Sequence, residues 1–205
     1  MNVKHYLCNL INQGHFWQYT DVNGRGKKPK FYFLPFQWFA LFLSIYITIY
    51  FLPTGFNETF VGYIIASLSI FVGLFLTLIL TVYDKFQKID FSLAKFNDID
   101  QIELVRIKNF FKQFTSLTTY SILLSISCIL LLSFFILFKF SIKEITIDIV
   151  TNNSSDYKQL IKIFILLSHR IITLYFLLDF VMITIYAITS IYGFIISEFD
   201  KIKLK

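Results

Sequence analysis

The sequence predicts an all-α polytopic membrane protein, built as an antiparallel bundle of four transmembrane helices. Hydrophobic residues make up 56% of the 205-residue chain and charged residues only 16%, a balance too apolar for an ordinary soluble domain. The apolar residues fall into four long runs, each with enough length to cross a hydrocarbon core of ~30 Å as a helix. The chain is expected to form one domain, with helices two to four extending beyond the bilayer.

Residues 1–30 precede the first apolar run and are expected to be cytoplasmic. Val3, Leu7 and Ile11 recur at helical spacing, which predicts a short amphipathic helix lying against the lipid headgroups. The basic segment 25–30 then directly precedes the membrane. We interpret it as a topology signal, with binding of anionic lipid as the alternative.

The first two spans are predicted at residues 31–52 and 60–83, separated by a turn too short to hold a domain. Pro35 falls in the first turn of the first span, where a missing N–H costs little. Along the second span, small residues recur every three or four positions and form a stripe that lets another helix approach closely, either within the chain or between copies. The stripe consists of Gly62, Ala66, Ser69 and Gly73.

The third span is predicted at residues 116–138, with Ser121, Ser125 and Cys128 on one closely packed face. Asp100 and Glu103 have the spacing of a capping box, so its helix is expected to begin there, well before the membrane. We interpret the projecting part as a docking surface for a soluble partner, with a self-contained stalk as the alternative. The candidate docking residues are Ile102, Val105, Arg106, Phe110 and Phe114.

The fourth apolar run contains three ionisable residues, His169, Arg170 and Asp179. A span at 163–183 would place all three in hydrocarbon, whereas a span at 171–196 buries only Asp179. Since each charge at the centre of a span costs roughly 2.5 to 3.5 kcal/mol, the second placement is favoured.

Asp179 needs a partner, because an acid in the membrane is normally paired. Arg170 lies nine residues away on nearly the opposite face of the same helix, so it cannot pair with Asp179 of its own copy. Asp179 either joins helices by a hydrogen bond or acts as a conducting or gating acid. The partners considered are Lys139, Tyr63, Thr59 and the Arg170 of a neighbouring copy.

The distribution of basic residues predicts the orientation. Fourteen of the nineteen Lys and Arg residues lie in the amino-terminal segment, the middle loop and the carboxyl-terminal tail, and four lie in the loop at 139–159 and the start of the fourth helix. By the positive-inside rule, both termini are expected in the cytoplasm. This distribution also accounts for the net charge of +6 without a nucleic-acid site.

No catalytic constellation is evident. His5, His15 and His169 are scattered, and neither a nucleophile elbow nor a phosphate-binding glycine loop is present. We therefore expect a protein that is not an enzyme and has no metal or cofactor. Three functions remain open. The first is a membrane scaffold or sensor that recruits a cytosolic partner, and the second is a homo-oligomeric ion channel or pore-forming effector with Asp179 or Arg170 in its lumen. The third, an intramembrane enzyme, is the least supported, because Asp179 has no second acid or nucleophile at its depth.

The composition rich in Phe, Ile, Lys and Asn, with four passes beginning near Phe31, Phe60, Ser116 and Ile171, resembles the membrane subunits of prokaryotic antiviral defence systems. In size and layout it is most similar to those of the Kiwa anti-phage defence system; the four-pass accessory proteins of type VI-B CRISPR systems share the plan. The resemblance implies an inner-membrane homo-oligomer, with a tetramer as one candidate. It also implies a response to phage attack and a soluble, DNA-binding partner on the cytoplasmic face.

Overall fold

The computed structural model describes residues 2–26, 29–52, 56–88, 98–138 and 157–199. Within these ranges the chain forms α-helices and no strand, which confirms the all-α prediction. The short strand considered for residues 145–149 and the basic tail at 201–205 lie outside the described residues. The helices are α1 (Val3–Phe16), α2 (Pro35–Tyr50), α3 (Glu58–Gln87), α4 (Asp98–Phe138) and α5 (Tyr157–Phe199).

Three helices, α3, α4 and α5, are long and apolar enough to cross a membrane. They contain 30, 41 and 43 residues, so each includes one of the predicted spans and continues past it. At 1.5 Å per residue, α4 is ~62 Å long, about twice the thickness of a hydrocarbon core. Helix α4 begins at Asp98, two residues earlier than predicted, so Asp100 lies inside the first turn rather than at the cap.

Helix α2 is shorter than the predicted span at 31–52, and Pro35 is the reason. A residue that precedes proline is disfavoured in the helical conformation, and Leu34 is accordingly extended, with φ −71° and ψ 156°. Pro35 then occupies the first helical position, and the side-chain oxygen of Gln37 accepts a hydrogen bond of 3.0 Å from the Leu34 N–H. The helix therefore contains 16 residues, or ~24 Å.

The described chain divides into two compact units. The first unit comprises Met1–Tyr32, Phe71–Leu123 and Phe180–Lys205. Here α1 packs closely on α4, since a Cβ added at Gly14 would lie 2.7 Å from the Tyr120 Cβ. The rings of Phe110 on α4 and Phe194 on α5 stack with centroids 4.0 Å apart. This unit therefore ties the amino-terminal helix to parts of α4 and α5.

The second unit comprises Phe33–Ile70 and Leu124–Asp179. Its hydrophobic cluster joins α3 to α4 through Val61, Leu132 and Phe135. The buried face of α2 has a different character, because polar and small residues recur along it at spacings of three or four. These residues are Gln37, Ala40, Ser44 and Thr48.

The surface of the helices is strongly apolar. Helix α2 exposes Phe39, Phe42 and Tyr46, each more than 60% accessible, while its polar residues are buried. In the most apolar stretch of α3 only 6% of the residues are buried, against 39% in that of α4 and 28% in that of α5. Soluble monomers rarely expose continuous apolar surfaces of this extent. Together with three helices of spanning length, this surface identifies a helical membrane protein.

Candidate functional site

Asp179 is the most deeply buried of the Asp, Glu, Lys, Arg and His residues described in the second unit, with 1% of its surface exposed. It is hydrogen-bonded to the side chain of Gln37 on α2. Its Oδ1 has no hydrogen-bond partner among the described residues. The buried thiol of Cys128 on α4 lies close enough to interact electrostatically with Asp179. Three helices, α2, α4 and α5, thus contribute to one polar cluster.

Gln37 has two roles in this cluster. Its carboxamide oxygen accepts the bond from the Leu34 N–H that helps to begin α2, which leaves the amide NH2 group to donate to the Asp179 carboxyl group. This partner was not among those predicted from the sequence, which were Lys139, Tyr63, Thr59 and a neighbouring Arg170. A signal was present, because Gln37 is the only carboxamide in the run 31–52, which contains no Asp, Glu, Lys, Arg or His.

Arg170 is also buried, with 4% of its surface exposed. Its Nη1 donates a hydrogen bond of 3.1 Å to the carbonyl oxygen of Leu52, two residues beyond the last residue of α2. Carbonyl groups at the end of a helix lack partners within the helix, so a cation there stabilises the end. The guanidinium therefore binds the chain just after α2.

His169, the third of the ionisable residues singled out in the fourth run, contacts α4. Its Nε2 lies 2.9 Å from the carbonyl oxygen of Leu131. Since a carbonyl oxygen can only accept, this contact assigns the proton to Nε2. His169 and Arg170 thus anchor α5 to different parts of the second unit.

Arg170 and Asp179 have separate partners, as their spacing predicted. Helix α5 continues without interruption from Tyr157 to Phe199, so nine residues hold the two side chains ~13.5 Å apart along the axis. Arg170 binds Leu52 and Asp179 binds Gln37. Both ionisable side chains are therefore bound within a single chain.

The small-residue stripe on α3 is exposed throughout. All four of its members are accessible, and a Cβ added at Gly62 or Gly73 would meet no atom within 4 Å. The stripe therefore makes no close helix contact within the described part of the chain. Of the two interpretations of this stripe, contact between copies remains.

The candidate docking residues on α4 separate into two groups. Ile102 and Val105 are 71% and 55% exposed, and Arg106 is partly buried. Phe110 and Phe114 are only 5% and 1% exposed, so neither is accessible to a partner. The helical spacing of apolar residues predicted an exposed face here, but the aromatic rings pack into the core of the first unit, where Phe110 stacks on Phe194. The exposed side of this segment consists of Ile102, Val105, Lys108 and Lys112.

No family model, curated protein or solved structure matches this chain. Over the ranges that the structure describes, no three His, Cys, Asp or Glu side chains lie together as a metal site would require. What the chain does must therefore be inferred from its own side-chain contacts.

Proposed function

We propose that this protein is a membrane-embedded scaffold or sensor subunit that holds a soluble partner at the cytoplasmic face of the bacterial inner membrane. The length of α4 is the observation that carries the proposal. Its 41 residues, or ~62 Å, exceed a hydrocarbon core of ~30 Å by about half of the helix. The amino-terminal part holds the polar residues and is the half expected outside the bilayer.

The projecting part of α4 belongs to a folded platform rather than a bare stalk. Gln113 on α4 donates hydrogen bonds to the carbonyl oxygens of Trp17 and Thr20, at 3.2 and 2.9 Å. These bonds attach the segment after α1 to α4 in the first unit. Ile102 and Val105 remain exposed beside Lys108 and Lys112, and a mixed apolar and basic surface of this kind suits a partner with an acidic rim.

In this proposal the bundle has four antiparallel passes, formed by α2 together with the three longer helices α3, α4 and α5. Two contacts support opposite directions for α2 and α5: the start of α2 meets Asp179 through Gln37, and the chain after α2 meets Arg170, which comes earlier in α5. Four passes also put both basic termini on one side, in agreement with the positive-inside rule. An odd number of passes would separate them.

The defence role rests on the resemblance to the membrane subunits of the Kiwa system. It gives the partner as a DNA-binding protein and the trigger as phage attack. Self-association, with a tetramer as one candidate, is supported by the exposed stripe of Gly62, Ala66, Ser69 and Gly73, which suits close approach of a helix from another copy.

The alternative, a homo-oligomeric ion channel or pore-forming effector, needs Asp179 or Arg170 in a lumen. Both are at least 96% buried and each is bound within one chain. A lumen formed between copies would not be lined by either side chain. The scaffold is therefore the better-supported function.

Partner retention tests the scaffold directly. The tagged chain, purified in mild detergent from membranes of its native host, is expected to retain one cytosolic protein at fixed stoichiometry. Val105→Glu should release that protein, because a carboxylate replaces an exposed apolar group of the surface. Val105→Thr keeps the shape and serves as the matched control. Deletion of the gene should raise the plating efficiency of phage on the host.

A specific outcome would replace the scaffold with the channel. If no protein co-purified in fixed ratio, phage plated equally with and without the gene, and the pure chain conducted ions in liposomes, the channel function would stand instead.

A further inference from the structure

The second unit contains a cavity of about 380 Å³, within the size range of small-molecule sites. Most of its wall is apolar. The described apolar residues that line it are Ile47, Phe51, Phe56, Phe60 and Leu174.

The polar groups on this wall include a buried cation. Arg170 lines the cavity and is 4% exposed. Among the described residues, its guanidinium makes one hydrogen bond, from Nη1 to the Leu52 carbonyl oxygen. Its buried Nε has no hydrogen-bond partner among these residues. A guanidinium has five N–H donors and no acceptor. A buried cation with unused donors is costly unless an anion binds it.

A second unpartnered group faces the same space. Thr48 lines the cavity, is 3% exposed, and its Oγ1 has no hydrogen-bond partner in the described residues. Two other helical hydroxyl groups in this unit bond back to the carbonyl oxygen four residues earlier, Ser44 to Ala40 and Thr173 to His169, each at 2.7 Å. Thr48 departs from this pattern, so its hydroxyl group remains available to a ligand.

We propose that this cavity binds one anionic phospholipid, with its phosphate against Arg170 and Thr48 and an acyl chain along the aromatic wall. An arginine fork matches the oxygens of a phosphate, and a hydroxyl group adds one more donor. The apolar wall suits a hydrocarbon chain, which free phosphate lacks. The bilayer itself supplies the ligand.

The exposed Asn57 completes the polar part of the wall. Its Oδ1 accepts a bond of 2.9 Å from the Thr59 N–H, which leaves its NH2 group free to donate to a headgroup. All three polar residues are therefore donors towards the cavity, the arrangement that an anion requires. The site does not depend on recruitment of a cytosolic partner.

Lipid binding to the full chain tests the proposal. The protein, stripped of lipid in detergent, is titrated with phosphatidylglycerol, with phosphatidylcholine of the same acyl chains, and with inorganic phosphate. Native mass spectrometry counts bound lipid and a thermal melt follows stability. We expect one phosphatidylglycerol per chain, bound at least about tenfold more tightly than phosphatidylcholine, because both lipids carry the phosphate but the choline ammonium cancels the net negative charge and is repelled by Arg170. Inorganic phosphate should leave the melting temperature unchanged.

Two matched pairs of variants assign the binding. Arg170→Gln should weaken phosphatidylglycerol binding at least about tenfold, whereas Lys162→Gln, which removes the same charge from an exposed position of α5, should not. Thr48→Val should weaken it at least about tenfold, because a hydroxyl group that donates to a phosphate makes a charge-assisted hydrogen bond, and Thr173→Val should not. If Arg170→Gln does not fold, the comparison of Thr48→Val with Thr173→Val decides whether the lipid binds in this cavity.

Three results would overturn the proposal. The first is equal affinity of the wild-type chain for the two lipids. The second is equal loss in a variant and its matched control. The third is stabilisation by inorganic phosphate alone, which would make the cavity a site for a free anion. Partner retention would be unaffected in each case, so failure here is distinct from failure of the scaffold.

Discussion

The carboxamide of Gln37 on α2 is hydrogen-bonded to the carboxyl group of Asp179 on α5, at a position where Asp179 is 1% exposed. The remaining oxygen, Oδ1, has no hydrogen-bond partner in the described part of the chain. Gln37 is thus the group that stabilises a buried acid, and the bond joins the start of α2 to the middle of α5.

This pair predicts a specific pattern of stabilities. Gln37→Leu should lower the free energy of unfolding by about 1 to 2 kcal/mol, since it leaves a buried carboxyl group without its donor. The double variant Gln37→Leu with Asp179→Leu should recover the part of that loss that comes from the unsatisfied carboxyl group, whereas the part that comes from the lost bond of the Leu34 N–H should remain. Thermal melts in detergent measure both. Asp179→Asn keeps a hydrogen-bonding group and should stay close to wild type; additive losses in the double variant would contradict the pairing.

Gln113 is expected to be essential for the platform formed by α1 and α4. Besides its two bonds to backbone carbonyls, its Oε1 accepts a bond of 3.0 Å from the Ser190 hydroxyl group. Gln113→Glu should destabilise the segment after α1 by about 1 to 3 kcal/mol, because a carboxylate cannot donate to carbonyl oxygens. Hydrogen exchange of residues 17–26 should rise severalfold. Lys112→Gln, at the exposed neighbouring position, should leave exchange unchanged, and equal rates in both variants would refute the role.

Gly14 is expected to tolerate no side chain. Its added Cβ would lie 2.7 Å from both Cβ and Cγ of Tyr120, atoms that cannot move without moving the ring. Gly14→Ala should therefore cost about 1 to 3 kcal/mol through overpacking, although alanine favours helices. Gly193→Ala, where nothing lies within 4 Å, should be neutral or stabilising in the same melt. A stable Gly14→Ala protein would mean that α1 is not held against α4.

The two cysteines allow a test of orientation. Cys8 is exposed and Cys128 is buried, so a membrane-impermeant thiol reagent should label Cys8 alone. Labelling is expected in inverted inner-membrane vesicles and not in intact cells whose outer membrane is permeable to the reagent. Lys203→Cys in a Cys8→Ser background should behave identically if the chain has the proposed four passes, which would place both tails inside. Labelling of the two tails from opposite sides of the membrane would contradict the four-pass arrangement, because it requires an odd number of passes.

The exposed stripe on α3 predicts self-association. Gly73→Leu should reduce the oligomer in detergent, as measured by light scattering after gel filtration, because a bulky side chain prevents close backbone approach. Leu74→Phe changes a neighbouring exposed position and should leave the mass unchanged. An unchanged mass for both variants would place the interface elsewhere.

Periodicity and hydropathy were sufficient to predict the long helices, since α3, α4 and α5 each follow an apolar run. They failed where the outcome depended on a partner distant in sequence. Phe110 and Ile102 both look apolar and helical, but only Phe110 has Phe194 to pack against. The partner of Asp179 was missed for the same reason. The predicted start of the first span at residue 31 was too early, because Pro35 excludes the four residues before it from α2.

The shortness of α2 has a mechanical consequence. In the four-pass arrangement, a helix of ~24 Å falls ~6 Å short of an average hydrocarbon core. A long helix accommodates a thin bilayer by tilting. A helix shorter than the hydrocarbon core is accommodated by local thinning of the bilayer or by burial of the residues that flank it. The elastic energy of the surrounding lipid should therefore rise with bilayer thickness, and should be concentrated around α2.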